Sequence, residues 1–344
     1  MNSILKARLH RFKANKRGYV SFIIFSILFF ISLFAEFITN DKPILVYHQG
    51  RIYVPMAQFY AEVDFGGEFE TEADFTDSYI RDLIAESGGI IIDPLIPFSY
   101  DTIDRHEAHP APAPPSWRHP LGTDDRQRDV LARSLYGFRI SILFGFLLTF
   151  CASMIGIITG AIQGYFGGTI DLLAQRFIEI WNAMPGLYIL IILSSLIIPN
   201  FWTLLGIMLL FSWTTLTGVV RAEFLRTRNF DYVKAARAMG LSNRMIIFRH
   251  ILPNAMTASL AMLPFIISGS TVTLASLDFL GLGLPPGSPS LGELILQGKN
   301  NLESPWLGLT ALCVMGIMLT VLVFIGEAIR DAFDPKKVIL SAQD

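Results

Sequence analysis

The sequence predicts an all-α membrane protein of six transmembrane helices, with a small extracytoplasmic α/β lobe inserted between the first two. Three observations carry this reading. Of 344 residues, 52% are hydrophobic and 16% charged, against about 25% charged in soluble domains. Charge-free runs cover 18–35, 140–170, 180–220, 251–277 and 304–326, each comparable to or longer than the about 20 residues a membrane helix needs. Between the first and second runs lies a long acidic segment that no span can use.

Taken in order, residues 1–18 form a basic N-terminus with Lys6, Arg8, Arg11, Lys13, Lys16 and Arg17. The first span, 19–38, follows it. Its apolar core is longer than that of a secretory signal and no small-x-small cleavage site follows, so it reads as an uncleaved helix. Segment 39–118 holds fourteen Asp/Glu and five Lys/Arg. It is too long for a connector, and Ile90, Ile91 and Ile92 with several aromatics can seed a small fold. The prolines between His109 and Pro115 predict an extended spacer after it, because proline fixes φ and removes a backbone donor.

The core, 119–330, carries spans two to six. The 41-residue run 180–220 is interrupted by Pro199-Asn200, a turn signal that makes it two spans joined by a hairpin. Pro185 and Pro264 are expected to interrupt spans three and five. Gly156, Gly160 and Gly164 recur every four residues, giving a groove where another helix can approach closely, inside the chain or between chains. The loop after the fourth span, 221–254, has seven Lys/Arg within 221–250 against two acids. Excess positive charge marks the cytoplasmic side, so the N-terminus, this loop and the 331–344 tail are expected there. The acidic lobe and the 278–303 loop are expected outside.

The charge balance, 27 Lys+Arg against 29 Asp+Glu, excludes an ordinary nucleic-acid binder. Cys151 and Cys313 both lie in apolar runs, so neither a disulfide framework nor a thiolate metal site is available. His106, His109 and His119 sit in a proline-rich linker with no helix to align them, and read as solvated loop residues. Gly292 to Asn300 superficially suggests a phosphate loop, but its glycine is one position too far from Gly298-Lys299 and Asn300 replaces the magnesium-binding hydroxyl. No HExxH motif and no Ser/His or Cys/His set can be assembled, so the chain is not expected to be an enzyme or to hydrolyse ATP by itself. An ion-coupled secondary transporter is the competing reading. It would need acids at mid-membrane, whereas Glu36, Asp278 and Glu327 lie at helix ends.

Arg176 and Glu179 are three apart and share a helix face. They read either as a salt-bridged interfacial pair or, with Pro185, as part of a gate or subunit contact. The most informative stretch runs from Asp231 to Asn254. Ala235 and Ala236 with long side chains favour helix, and Gly240 can supply a left-handed cap. A second amphipathic helix should follow, and Pro253 should open the next span. A basic helix outside the membrane invites a docking partner; the plainer alternative is a helix lying on anionic lipid.

This loop closely resembles that of permease subunits of binding-protein-dependent ABC importers, whose signature is Glu-Ala-Ala, three residues, Gly, nine residues, then x-x-Leu-Pro. Ala235, Ala236, Gly240, Leu252 and Pro253 sit at that spacing, and Lys234 replaces the glutamate. Leu121 to Asp124 with Arg128 to Val130 and Tyr136 to Ser141, and Phe279 to Gly283 with Pro285, Pro286 and Pro289 to Gly292, look like segments of OppC/DppC-type peptide permeases. Gln127 and Leu291 depart from that pattern. Asn40 to Pro43, Arg226 to Tyr232 and the acidic lobe look like the YejE type.

The resemblance implies a type I ABC importer permease in the bacterial inner membrane that brings oligopeptides into the cytoplasm, and it leaves open whether peptide-like antibiotics take the same route. It implies a second homologous permease chain, separate ATPase subunits that use ATP and magnesium, and a periplasmic peptide-binding protein, with no cofactor held by this chain. Lys234 to Gly240 would then be the coupling helix, with Arg237 as a charged contact. The outer lobe would meet the binding protein.

Overall fold

A computed structural model describes residues 3–107, 109–197 and 199–333. The end of the expected tail, from 334 on, lies outside them. The chain begins with a basic helix α1 (Ser3–Ala14), then α2 (Lys16–Leu33) and a short α3 (Ala35–Ile38). The lobe follows, with strands β1 (Leu45–His48) and β2 (Arg51–Tyr53), helix α4 (Ser78–Glu86) and strand β3 (Ile90–Ile92). The remaining helices are α5 (Val130–Phe166), α6 (Gly168–Ala183), α7 (Gly186–Leu196), α8 (Phe201–Thr227), α9 (Asp231–Ala238), α10 (Asn243–Met245), α11 (Leu252–Phe279), α12 (Leu291–Asn300) and α13 (Pro305–Phe333).

Two compact units result, one of residues 1–27, 141–285 and 316–344, the other of 28–140 and 286–315. In the second, the sheet has the order β2-β1-β3, all antiparallel. It covers a core of Val46, Phe65, Ala73, Phe75, Ile80 and Ile84; of the isoleucine run expected to seed the lobe, Ile91 packs against this core while Ile90 and Ile92 are exposed. Asp77 caps α4 by accepting from the Tyr79 amide. The proline-rich segment is docked rather than free, since the Ala113 amide donates to Thr123 Oγ1 at 2.8 Å and the Thr123 amide donates to the Ala113 carbonyl at 2.9 Å. The expected phosphate-loop look-alike is helix α12, capped by Ser290.

In the first unit, the small-residue stripe of α5 lies against α8 of the same chain. A Cβ on Gly156 would meet the Trp213 carbonyl, one on Gly160 the Thr217 carbonyl, and one on Gly164 the Arg221 carbonyl. The two residue numbers climb together, so α5 and α8 are parallel. Near their N-terminal parts, Phe144 and Phe201 meet edge to face at 5.3 Å. Parallel neighbours require the intervening chain to return along them, here over about 30 Å at 1.5 Å per residue.

That return pass is the expected third span, and it is not one helix. Among the described residues, five helices are long and apolar enough to cross a membrane: α2, α5, α8, the continuous helix Asn243–Phe279 and α13. The chain returns from α5 to α8 through α6 and α7, separated where Met184 is extended and Pro185 caps α7. Asn200 caps α8, its side chain accepting from the Trp202 and Thr203 amides, which is the hairpin read from Pro199-Asn200. Pro264 behaves differently from Pro185. It is buried inside an unbroken α11, so the expected interruption of span five does not occur there.

Candidate functional site

The expected docking loop forms a short helix on a hydrophobic platform. Helix α9 turns Val233 and Ala236 inward, 0% and 1% exposed. They join Ala161 and Tyr165 of α5, Leu216, Val220 and Phe224 of α8, and Ile246, Ile251 and Ala255. Its C-terminus closes in a Schellman arrangement: the Leu241 amide donates to the Ala236 carbonyl and the Gly240 amide to that of Arg237, at 3.2 and 3.0 Å. Gly240 has φ +78°, a conformation a Cβ strongly disfavours. Leu241 packs on the same cluster.

Lys234, Ala235, Arg237 and Gly240 face outward, so the two alanines of the motif have different surroundings: Ala235 is surface and Ala236 is core. The Arg237 guanidinium lies 5.6 Å from the Tyr165 ring centre. Lys234 Nζ is 3.6 Å from Asp231, both exposed. Met239 and Phe248 are 75% and 67% exposed, with Arg237, Arg244 and Arg249 on the same loop also exposed. Leu252 is half-buried in the cluster and Pro253 is exposed. Pro253 lies in the first turn of α11, as expected, but no break precedes it. The helix from Asn243 runs through it, with a π-helical turn at Ile246–Ile251 immediately before. Proline supplies no N–H, and a π turn is one way a helix absorbs the lost bond.

Arg176 and Glu179 pair with each other at 2.5 Å, with side chains 66% and 55% exposed. They are an intrahelical surface pair, and Pro185 sits nine positions on at the α6–α7 break. Beyond it, α7, α8 and α11 line an open cavity of about 530 Å³. Met208, Phe211, Met262 and Phe265 give it an apolar wall, and Ser212, Thr215, Ser270 and Thr273 add hydroxyls. No charged side chain lines it among the described residues.

Sequence reasoning missed two charged arrangements. One is Arg133, fully buried, which donates to Glu293 at 2.9 Å and to the carbonyls of Tyr100 and Ser288; beside it Arg128 holds Asp124. The other is Arg221 of α8, which grips Asp171 in the first turn of α6 through two bonds of 2.5 and 2.7 Å. Neither shows a local pattern, because the partners are 160 and 50 residues apart. The three linker histidines also separate. His106 and His109 are exposed, whereas His119 is buried between Asp129 at 2.9 Å and Asp104 at 3.2 Å. Burial alone would lower the His119 pKa, but the two carboxylates outweigh it and hold it above the ordinary value. Asp104, Glu107 and His119 are close enough to share a metal ion, yet Asp104 is already ion-paired with Arg118, whose Nε lies 2.6 Å from the oxygen facing His119 and whose Nη2 donates to the other oxygen at 3.1 Å.

Known proteins resemble this chain over most of its length. The family model described as the binding-protein-dependent transport system inner membrane component matches residues 152–339, and that of the N-terminal TM domain of oligopeptide transport permease C matches 3–55. A peptidoglycan transport system permease protein YejE of Agrobacterium fabrum is 56% identical, over 96% of this chain and 93% of its own length. An inner membrane ABC transporter permease protein YejE of Escherichia coli is 55% identical, over 98% and 99%. An oligopeptide transport system permease protein OppC of Lactococcus lactis is 36% identical over 65% of this chain and 78% of its own. Among solved structures, an inward-facing MetNI methionine ABC transporter matches with a TM-score of 0.50 at 16% identity, covering 60% of this chain and 96% of that one. At that identity the likeness speaks to the fold alone.

Proposed function

This chain belongs to the binding-protein-dependent transport system inner membrane component family, as an ABC importer permease subunit of the YejE type, and from that membership we propose that it forms half of a peptide channel. Its cargo is oligopeptides, including peptides released from peptidoglycan, carried inward across the bacterial inner membrane. A second homologous permease supplies the other half of the cavity wall. Separate ATPase subunits bind ATP and magnesium and dock on α9, and a periplasmic binding protein delivers the peptide. The N-terminus, α9 and the C-terminal tail face the cytoplasm.

The observation that carries this is the α9 surface: a short helix fixed by buried Val233 and Ala236, capped at Gly240, and presenting exposed Ala235, Arg237 and Met239. Such a helix can move as a rigid body with whatever grips it. The uncharged, hydroxyl-bearing cavity beside the α6–α7 break supports passage of peptides whose charges are shielded elsewhere. Uptake by the complete complex in liposomes tests the cargo, with a labelled muropeptide tetrapeptide competed by a linear L-peptide of equal length. ATP-dependent uptake of the muropeptide peptide, with competition by the linear one, is the expected result. Uptake driven by an ion gradient without ATP would overturn it in favour of a secondary transporter.

A further inference from the structure

The end of the bundle that carries α9 contains one tie between the platform and the broken span that is electrostatic and two-pronged. Helix α6 has no buried residue, so burial does not fix its position. It is held by a few polar and ring contacts: Gln175 to Gln163 at 2.7 Å, Trp181 Nε1 to the Leu210 carbonyl at 2.8 Å with its ring stacked on Phe211, Thr214 Oγ1 to Asn182 at 3.2 Å, and Asp171 to Arg221. The last is a planar fork on a carboxylate, the geometry in which an arginine fixes direction as well as distance. Both side chains are largely shielded, 28% and 14% exposed.

Arg221 sits within the rigid part. Its neighbour Val220 and, about one turn on, Phe224 are buried in the cluster that also holds Val233 and Ala236 of α9. Seven residues on, Arg228 donates to the Gly164 and Tyr165 carbonyls at the end of α5. The α5–α6 elbow between these two arginines is Gly167-Gly168, both at positive φ. The platform thus ends at a two-glycine hinge, and beyond the hinge Asp171 ties α6 back to α8. At its far end α6 stops at Met184-Pro185, and Gly186 and Leu190 of α7 line the cavity.

We infer that the Asp171–Arg221 pair is the strut that transmits movement of the α9 platform to α6, and through it to the Pro185 break at the cavity. Asp171 and Arg221 are positioning residues, acting through α6 rather than on peptide. The inference rests on the reading of this chain as a peptide permease driven by ATPases on α9. Without the pair, α6 keeps only its neutral contacts to Gln163, Leu210 and Thr214, which follow the platform less tightly, so less peptide moves per ATP hydrolysed.

The test uses the whole complex in liposomes, with labelled muropeptide tetrapeptide as probe and peptide taken up per ATP hydrolysed as the readout. Asp171→Asn, which keeps the shape and removes the charge, and Arg221→Ala should each lower that ratio about tenfold while ATP hydrolysis continues. The swapped double variant Asp171→Arg with Arg221→Asp should recover most of it. A general structural defect would lower assembly and hydrolysis together and would not be rescued by the swap. A wild-type ratio in Asp171→Asn and Arg221→Ala, or a swap no better than either single variant, overturns the strut and leaves the permease reading standing. Absence of ATP-driven uptake from the wild-type complex removes both.

Discussion

The parallel packing of α5 on α8 is what forces the return pass through α6 and α7, and it depends on glycine at 160. A Cβ there would lie 2.6 Å from the Thr217 carbonyl oxygen and 2.9 Å from Val220 Cβ. The first neighbour is backbone, so no rotamer change relieves it, and α8 must shift bodily by more than half an ångström. Overpacking of that kind costs about 1–3 kcal/mol, a fall of about 5- to 150-fold in the folded-to-unfolded ratio. Gly206, also on α8, has nothing within 4 Å of its Cβ position. Alanine there should be neutral, or stabilising by up to about 1 kcal/mol through helix propensity. Thermal unfolding of the purified complex in mild detergent, followed by loss of the monodisperse peak, compares the two. Gly160→Ala should melt below wild type and Gly206→Ala at or above it. A Gly160→Ala protein that melts with wild type would refute the close approach and the parallel arrangement built on it.

Other consequences are open to the same kind of check. Gly240→Val places a β-branched residue at φ +78° and should destabilise the α9 cap by about 1–2 kcal/mol. Gly240→Asn should be milder, read as peptide uptake by the two complexes. Lys234→Glu leaves the platform untouched and sets a second acid near exposed Asp231, a repulsion of a few tenths of a kcal/mol. Near-normal uptake is expected, and complete loss would show that this lysine has a specific partner. Because Asp129 and Asp104 raise the His119 pKa against the opposing effect of burial, its contribution to stability is full below its ordinary value of 6.5 and lost as pH rises through the raised one. Melting curves across that range should show wild type losing stability toward alkaline pH more steeply than His119→Gln.

Much of this architecture is written locally in the chain, and the rest is not. Gly240 was legible because a Schellman cap needs only a helix former, a glycine and an apolar residue in sequence, here Ala236, Gly240 and Leu241. Asn200 after Pro199 was legible for the same reason. Proline alone was ambiguous: Pro185 coincides with an extended Met184 and breaks the pass, whereas Pro264 lies buried within α11, where tertiary packing carries the helix across the lost bond. Ala235 and Ala236 read alike as letters and separate only when α9 is seated, because which face is buried depends on α5, α8 and α11 together. Arg133 with Glu293, and Asp171 with Arg221, could not be read at all. Their pairing is set by tertiary approach across long sequence separations, and each residue alone looks like an ordinary charge at a helix end.

The central claim is that a separate motor grips the outward face of α9, and Ala235 tests it without disturbing the core. Ala235 is exposed while its neighbour Ala236 is buried, so Ala235→Trp should leave membrane insertion and melting temperature unchanged. The tagged chain would be purified from its native membrane in mild detergent, and the ATP hydrolysis accompanying it measured per permease. Activity with the wild type and its loss from Ala235→Trp at equal permease recovery is the predicted result. Equal activity in both, or none in either, would contradict the account.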